Sequence, residues 1–467
     1  MAGSGFDHPA ESGWLMHGMN AGERRISQLL ALMFIVTPLL WVLDRAIAVM
    51  VLQILALVVV FLLVLQPGSF SRLDKLQAIA VAGIFASAAL SLLPLPFALW
   101  EQLPGRADYA EMIRMLGGPE NGWRQISIVP QATEKAIWLL VPPLVTFMAV
   151  MALSRKAIRK LLLVIVVLAV FQSLLGLLQY GAGIASFNAL DRSPGHVATG
   201  TYLNRDHLAG FLEMTFPVML ALVAGLMGRH IGSRGSRGVR YWVSVEGNQA
   251  LLYGLAALLV VLAIVFTRSR MGVMLTMIGL LCCLIAFSRR LGGHNVYGAY
   301  GTFLAIAVVL AIEIGLAPVL DRFTQDPMQD MRWEIYATAM QAVGQFFPLG
   351  SGAGTFGQVY PAFQIPHSDY FINRAHNDYL EWVFTAGLPA AILIVMVLYL
   401  YFRNWARLRG IAQWDTFHFI QVGSGIGIFL MLLHTFFDFN LHKPMNAVYF
   451  AFFLAVFMRN EVDRHEP

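Results

Sequence analysis

The residue types best suited to general acid–base chemistry fall in one short stretch. Residues 374–381 read Arg-Ala-His-Asn-Asp-Tyr-Leu-Glu. An imidazole held by a neighbouring carboxylate or amide is the usual arrangement of a general base. His376 is therefore a candidate general base with Asn377 or Asp378 as the orienting residue. Composition alone does not choose it over four other histidines in polar segments, which are His196, His367, His434 and His442. The alternative is that the carboxylates only cap the helix that follows.

A second group consists of arginines at the ends of apolar segments. Arg268 and Arg270 join two apolar runs with almost no loop, and Arg205 precedes another run within Asn-Arg-Asp-His at 204–207. Boundary arginines usually face a cavity or a partner, and an arginine beside a helix N-terminus makes a good anion site. The alternatives are snorkelling and helix capping by the adjacent Asn or Asp. We predict that Arg205, Arg268 and Arg270 form an anion-binding group.

A glycine-rich segment, Pro-Leu-Gly-Ser-Gly-Ala-Gly at 348–354, lacks the Lys-Ser/Thr that completes a phosphate-binding loop. It is predicted to be a turn with close backbone approach. The acidic residues show no Asp-x-Asp cluster, so no metal ion is predicted. Cys282 and Cys283 are adjacent in an apolar run and are poor disulfide partners.

Composition indicates a membrane protein. Of the 467 residues, 58% are hydrophobic and 13% charged, whereas soluble domains carry about 25% charged residues. The net charge of +5 is spread over short loops rather than gathered in one patch, which argues against a nucleic-acid partner.

Apolar runs long enough to cross a bilayer recur along the chain. They predict about twelve transmembrane helices: Ile26–Leu43, Ala46–Leu65, Leu76–Leu99, Ala132–Leu153, Leu161–Tyr180, Leu208–Met227, Ala250–Phe266, Met271–Phe287, Val296–Ala317, Tyr379–Phe402, Phe417–Phe437 and Ala447–Met458.

Basic residues predict the orientation of these spans. More than half of the 32 Lys and Arg residues fall in one alternating set of loops, which the positive-inside rule assigns to the cytoplasm. The long polar segment 318–381 then lies outside. A large polar loop held by a membrane scaffold is a suitable place for an active site.

Several motifs together resemble a known family. They are Thr-Gly-Thr-Tyr-Leu-Asn-Arg-Asp-His-Leu-Ala-Gly from Thr199, Thr-Arg-Ser-Arg-Met-Gly from Thr267, Arg332-Trp333, the 348–354 glycine segment, His-Asn-Asp-Tyr-Leu-Glu from His376 and Asp-Phe-Asn-Leu-His-Lys-Pro from Asp438. In order and spacing, residues 199–444 resemble the O-antigen ligase and Wzy-type polymerase superfamily.

This resemblance implies an all-α, GT-C-like membrane protein of the bacterial inner membrane, with its active site on the periplasmic side. The domains would be a membrane part at 1–317, a periplasmic loop subdomain at 318–378 and a second membrane part at 379–467. The family moves a glycan from an undecaprenyl-diphosphate donor to a hydroxyl of a glycan or lipid A-core acceptor. It needs no metal or other cofactor.

The resemblance also implies roles for the residues singled out above. His376 would be the base, supported by Asn377, Asp378, Asn204 and His207, and the diphosphate would bind Arg205, Arg268, Arg270 and Arg332. Inversion at the anomeric carbon is expected because no nucleophilic carboxylate pair is present.

Two questions stay open at the level of sequence. The ligase pattern of His, a small polar residue, nine others and Gly is met by His376, Asn377 and Gly387. Ala390 departs from the ligase pattern, and Asp206 departs from the residue that many relatives carry at its position. Ligase and polymerase activities are both compatible with this. A transporter or lipid-linked glycan flippase is the alternative, predicting charges or broken helices near mid-membrane, and a scaffolding protein is a third class.

Overall fold

The computed structural model describes residues 19–43, 45–183, 197–228, 244–288, 290, 291, 301, 305, 309, 331–364 and 371–460. Almost all of the predicted span Val296–Ala317 lies outside them. The described helices are α1 Ala21–Leu43, α2 Arg45–Leu65, α3 Lys75–Leu90, α4 Phe97–Trp100, α5 Ala107–Met115, α6 Pro130–Ala152, α7 Arg155–Ala182, α8 Arg205–Gly228, α9 Val245–Phe266, α10 Arg270–Ser288, α11 Arg332–Phe346, α12 Phe356–Val359, α13 Asp378–Arg409, α14 Thr416–His434 and α15 Pro444–Met458.

Eight of these described helices are long and apolar enough to cross a membrane, and two shorter apolar helices, α3 and α15, accompany them. The eight are α2, α6, α7, α8, α9, α10, α13 and α14. This confirms the prediction of a multi-pass, mostly helical membrane protein. Helix α3 ends at Leu90, earlier than the predicted Leu99, because Pro94 and Pro96 follow and take up a strand.

Helix α8 is the centre of the bundle. Within its apolar window 89% of the residues are buried by protein, against 28% for α2 and α13. It packs mainly against α9, α10 and α14. Small residues permit close approach: Gly427 on α14 lies against the backbone of Met214, and Gly423 against that of Pro217.

The two ends of the bundle gather different loops. We call the basic end the set of residues 19–25, 69–75, 152–156, 288, 290, 291, 403–415 and 458–460; Glu23 contacts Ser154 within it. Contacts across this end include Arg72 Nη1 donating to Leu153 O at 2.8 Å, and Arg155 paired with Asp415 at 2.7 Å. These are loops that the positive-inside rule groups together.

We call the opposite end the site end; it comprises residues 91–131, 197–207, 267–270, 331–364, 371–381 and 435–444. Here β1 (Pro94–Pro96) pairs antiparallel with β2 (Trp123–Gln125). The fully buried Arg106 joins this hairpin to the glycine segment, because its Nη2 donates to Ile126 O at 2.8 Å and Gly350 O at 2.7 Å. Burial lowers the pKa of Arg106 to about 10.

The 348–354 segment is a turn with close backbone approach, as predicted. Ser351 N donates to Phe384 O at 3.1 Å, and Gly352 N to Thr385 O at 2.8 Å. On the other side of this contact, α13 breaks at Gly387, whose φ of 58° and ψ of −136° are not helical. Leu388 N then donates to Pro348 O at 2.8 Å. The 348–354 segment therefore fixes a kink in α13 at Gly387, the tenth residue of that helix.

Candidate active site

His376 lies two residues before α13 begins, in a left-handed backbone conformation with φ of 51°. A non-glycine residue in this region is strained and needs support from its surroundings. The Tyr336 hydroxyl supplies some, since it donates to His376 O at 2.7 Å. The side chain is 30% exposed, so the imidazole is open to a substrate while its backbone is held.

Asp438 is the carboxylate that faces His376. Its Oδ1 lies 3.4 Å from His376 Nδ1 and accepts the backbone N–H of Phe439 at 2.8 Å, while its side chain is 1% exposed. The opposite ring nitrogen, Nε2, therefore points away from Asp438. Asp438 Oδ2 lies 3.9 Å from the Nε2 of the buried His207.

The charge state of Asp438 follows from its neighbours. Burial acts to raise the pKa of its carboxyl, but the close contact with His376 and the electrostatic interaction with three nearby histidines outweigh this and hold the pKa well below its usual range. The three are His207, His376 and His434. An ionised Asp438 favours a proton on the His376 nitrogen that faces it and leaves Nε2 as the acceptor.

The ring of Phe439 packs between two histidines and a lysine of the site. The His376 and His207 rings stand edge-on to it at 4.8 and 4.9 Å between centroids, and Lys443 Nζ lies 4.6 Å from its centre. Burial and the charge of Arg374 lower the pKa of Lys443 to about 8. Phe439 thus fixes the spacing of three groups around Asp438.

The predicted anion-binding arginines share one structural feature. Arg205, Arg270 and Arg332 are each the first residue of a helix, and Arg268 lies two residues before α10. Helix N-termini carry partial positive charge, so each guanidinium adds to a favourable field for an anion. The Asn204 side chain accepts the N–H of Asp206 at 2.8 Å. It therefore caps α8, as the alternative reading of this motif proposed.

Two of these arginines carry a charge that the described protein does not neutralise. No hydrogen bond or ion pair reaches the side chain of Arg205 or Arg268 in the part of the chain that the structure describes. Arg268 Nε is buried without a hydrogen-bond partner, and its Cζ lies 5.9 Å from the centre of the Tyr180 ring. Its φ of 55° adds backbone strain at the same position.

Packing brings these elements together at the site end. Ala198 N donates to Phe266 O at 3.0 Å, which ties the segment before Arg205 to the end of α9. Gly272 in the first turn of α10 lies against Ala209 of α8. Asn446 donates to His207 O at 3.0 Å and so joins α8 to α15. Arg332 lies one helical turn before Tyr336, the residue that supports His376.

The predicted orienting residues face elsewhere. Asn377 caps α13, accepting Leu380 N at 3.0 Å. Asp378 is buried against His442 Nδ1 and accepts Leu441 N at 2.9 Å. The expectation that Asn377 or Asp378 orients His376 is therefore corrected. Both side chains bind other groups, Asn377 in the first turn of α13 and Asp378 at His442. The carboxylate that contacts the imidazole is Asp438.

His442 connects the two buried carboxylates of α13. Its Nδ1 contacts Asp378, and its Nε2 lies 3.1 Å from Glu381 Oε1. Glu381 also accepts Arg374 Nη1 at 2.6 Å and Ala375 N at 3.0 Å. These bonds anchor the 371–378 segment on which His376 stands.

A further buried pair lies inside the bundle. His434 Nδ1 is 2.8 Å from Glu213 Oε1, and neither side chain is more than 1% exposed. The backbone N–H of Asp438 donates to His434 O at 3.1 Å. The pair therefore joins α8 to α14 next to the segment that carries Asp438.

Comparison with known proteins identifies part of the chain. Residues 255–395 match the family model described as O-antigen ligase. They include His376, Arg268, Arg270 and Arg332. A search of curated proteins gave no match. This similarity to O-antigen ligases is limited to residues 255–395, and within them it confirms the resemblance that the motifs indicated. The apolar helices independently indicate a multi-pass membrane protein.

Sequence reasoning missed three residues of the site. Asp438 stood in a quoted motif but was given no role, because nothing in the sequence places it beside a histidine 62 positions earlier. Glu213 had a usable signal, since a carboxylate inside an apolar run is a functional candidate by default. His434 is one of several histidines near polar segments, and no pattern in the sequence singles it out. The described residues contain no group of three or more side chains with the geometry of a metal site.

Proposed function

We propose that this protein is a glycosyltransferase that moves a glycan from an undecaprenyl-diphosphate donor to an acceptor hydroxyl at the site end of the bundle. The observation that carries the proposal is the pairing of a partly exposed His376 with the buried Asp438. At the same end lie Arg205 and Arg268, which have no counter-ion among the described residues. The O-antigen ligase match over residues 255–395 supports the same class of reaction.

The donor would bind through its diphosphate. Arg205 and Arg268 supply guanidinium groups that are free to make bidentate contacts, and Arg270 and Arg332 extend the positive field from two further helix N-termini. As the glycosidic bond breaks, negative charge builds on the bridging phosphate oxygen. Fixed positive groups stabilise that charge more than the ground state, and so lower the barrier.

His376 would act on the acceptor. Its Nε2 removes the hydroxyl proton as the oxygen attacks the anomeric carbon, and the bond to the diphosphate breaks with its electron pair on the leaving oxygen. The products are the new glycoside and undecaprenyl diphosphate. Asp438 holds the imidazole in the accepting tautomer and stabilises the imidazolium that forms. A single displacement of this kind inverts the anomeric configuration.

Two kinds of acceptor fit the proposed reaction. A glycan chain end makes the protein an O-antigen or exopolysaccharide polymerase, and the lipid A-core makes it an O-antigen ligase. Either acceptor offers a hydroxyl to the same base. Incubation of the purified protein with a lipid-linked glycan, with and without lipid A-core, separates the two: a ladder of longer lipid-linked glycans indicates polymerase, and a modified lipid A-core indicates ligase.

His376→Ala is the central test of the mechanism. We expect turnover to fall by roughly two or more orders of magnitude, while the variant accumulates in the membrane and still retains the labelled donor. The matched control is His418→Ala, which removes a histidine at the opposite end and should keep most of the activity. Normal turnover in His376→Ala would assign the base elsewhere.

The buried Glu213–His434 pair favours one other function. Ionisable groups inside a membrane bundle commonly serve proton-coupled transport, so a transporter or a flippase of lipid-linked glycans is the second candidate. Vesicles that hold the protein and a fluorescent lipid-linked glycan separate the two. Movement of the lipid between leaflets without any new glycosidic bond, abolished by Glu213→Gln, would favour transport.

A further inference from the structure

A pocket of about 370 Å³ opens at the basic end between α1 and α7. It lies at the opposite end of the bundle from His376, so its role is separate from the proposed reaction. Its volume falls within the range of about 300 to 1,000 Å³ that is typical of small-molecule sites. Arg24, Lys156 and Lys160 line it, and none of its described lining residues is acidic.

The lining changes from charged to apolar in the same direction along both helices. On α1, Arg24 is followed on the same face by Gln28 and Ala31; on α7, Lys156 is followed by Lys160 and Val164. Helix rise makes this change complete within about 10 Å. Such a gradient matches a molecule with an anionic head and an apolar tail, oriented along the helices.

The carboxylate of Glu23 links the two helices that form the pocket. Glu23 precedes Arg24 and accepts the backbone N–H of Ser154, the residue that caps α7. This bond joins the starts of α1 and α7 and shapes the mouth of the pocket. A free phosphate ion would contact only the charged part of the pocket, near the starts of α1 and α7. It would leave the apolar part empty.

We propose that this pocket binds an anionic phospholipid, with the phosphate diester between Arg24, Lys156 and Lys160 and an acyl chain along Ala31 and Val164. Basic pockets between transmembrane helices are suited to anionic head groups. The lipid would bridge α1 and α7 at a place where Ser27 is the buried polar residue of the lining. Binding should therefore stabilise the bundle as well as occupy the pocket.

The test compares two double variants of the full-length protein in phosphatidylcholine nanodiscs. Arg24→Gln with Lys160→Gln removes two lining charges. Arg25→Gln with Lys75→Gln removes the same two residue types from exposed positions at the same end but outside the pocket. Phosphatidylglycerol is titrated in, and both the melting temperature and the lipids retained in native mass spectrometry are measured.

We expect saturable phosphatidylglycerol binding in the wild type and the control, and about tenfold or more weaker binding in the pocket variant. Equal binding in all three, or equal loss in both variants, would overturn the site. Stabilisation of the wild type by inorganic phosphate to the same extent as by phosphatidylglycerol would show an anion site without lipid, and would overturn the proposal as well. If the double variant fails to fold, Lys160→Gln alone, at an exposed position, takes its place.

Discussion

At the scale of single residues, the proposed base depends on contacts that come from distant parts of the chain. Asp438 faces its ring, Tyr336 holds its backbone carbonyl, and Phe439 limits where the ring can turn. The positive φ of His376 is maintained by these contacts together with the carboxylate network below it. The position of the imidazole is therefore built by tertiary packing around a strained residue.

Asp438→Asn tests the orienting role of this carboxylate. Asparagine keeps the size and can still accept the Phe439 N–H, but it loses the charge that favours the accepting tautomer of His376. We expect kcat to fall about 10- to 100-fold, less than the roughly 10⁴-fold loss for a directly hydrogen-bonded triad carboxylate, because the separation here is 3.4 Å. The KM for the donor should stay unchanged.

Comparison of kcat with the amount of folded protein separates an orienting role of Asp438 from a purely structural role. A loss of folding would lower the amount of active protein and leave the KM and kcat of the remainder unchanged, whereas the orienting role lowers kcat per folded molecule. Wild-type kcat in Asp438→Asn at an equal level of folded protein would rule out this role.

Arg268→Lys tests whether Arg268 binds the diphosphate of the donor. A snorkelling arginine can be replaced by lysine with little effect, because both side chains reach the head groups. A guanidinium that grips a diphosphate through two nitrogens cannot be replaced in this way, because lysine offers a point charge. We expect the donor affinity and kcat/KM to fall at least tenfold. Arg25→Lys, at an exposed position of the basic end, is the control and should behave as the wild type.

At the scale of elements, the kink of α13 is the feature that positions the site. The first nine residues of the helix carry the Asp378 and Glu381 network, and Gly387 then lets the helix break against the glycine segment. A Cβ at Gly387 would lie 2.1 Å from Pro348 O, and φ is 58° there. No other residue type fits both conditions.

Gly387→Ala should therefore lower the free energy of unfolding by about 3 kcal/mol or more, since it combines backbone strain with a steric clash. Thermal unfolding in detergent measures this. Gly254→Ala is the matched control: it lies within α9 with no heavy atom within 4 Å of the added Cβ. Alanine there should be neutral or stabilising by up to about 1 kcal/mol. A melting temperature for Gly387→Ala equal to that of the wild type would contradict the role of the kink.

The elements also show which features sequence patterns can predict. Apolar runs predicted the helices because hydrophobic length is a local property, and positive-inside counting grouped the loops because each loop carries its own charge. The partner of His376 could not be found in this way. Asp378 is two residues from His376 in sequence but contacts His442. Asp438 follows the C-terminal end of α14, and it is the carboxylate that faces His376. Pairing between helices is set by packing, which no local pattern encodes.

At the scale of the whole molecule, the basic end and the candidate active site lie at opposite ends of the bundle. The basic end holds most of the described arginine contacts with backbone carbonyls, such as Arg72 to Leu153 and Arg290 to Ala412. The site end holds His376, Asp438 and the arginines at helix N-termini. For a donor that is presented on the periplasmic side, the site end must face the periplasm, and the proposed reaction depends on this orientation.

Labelling of single cysteines tests the orientation. The positions Arg237, Asp326 and His367, for which the sequence predicts a side of the membrane, lie outside the described residues, and Arg407 is half-buried. Asn121 and Lys75 are better sites because both are exposed, the first at the site end and the second at the basic end. Cys282 and Cys283 are first replaced by alanine to remove the background.

We expect Asn121→Cys to react with a membrane-impermeant maleimide in intact spheroplasts, and Lys75→Cys to react only after permeabilisation. Each variant serves as the control for the other, because the same reagent must reach one end and not the other in the same cells. The reverse pattern would place His376 in the cytoplasm. A lipid-linked donor that has already been moved to the periplasmic leaflet could not then reach the arginines, and the glycosyltransferase mechanism would have to be abandoned together with its donor.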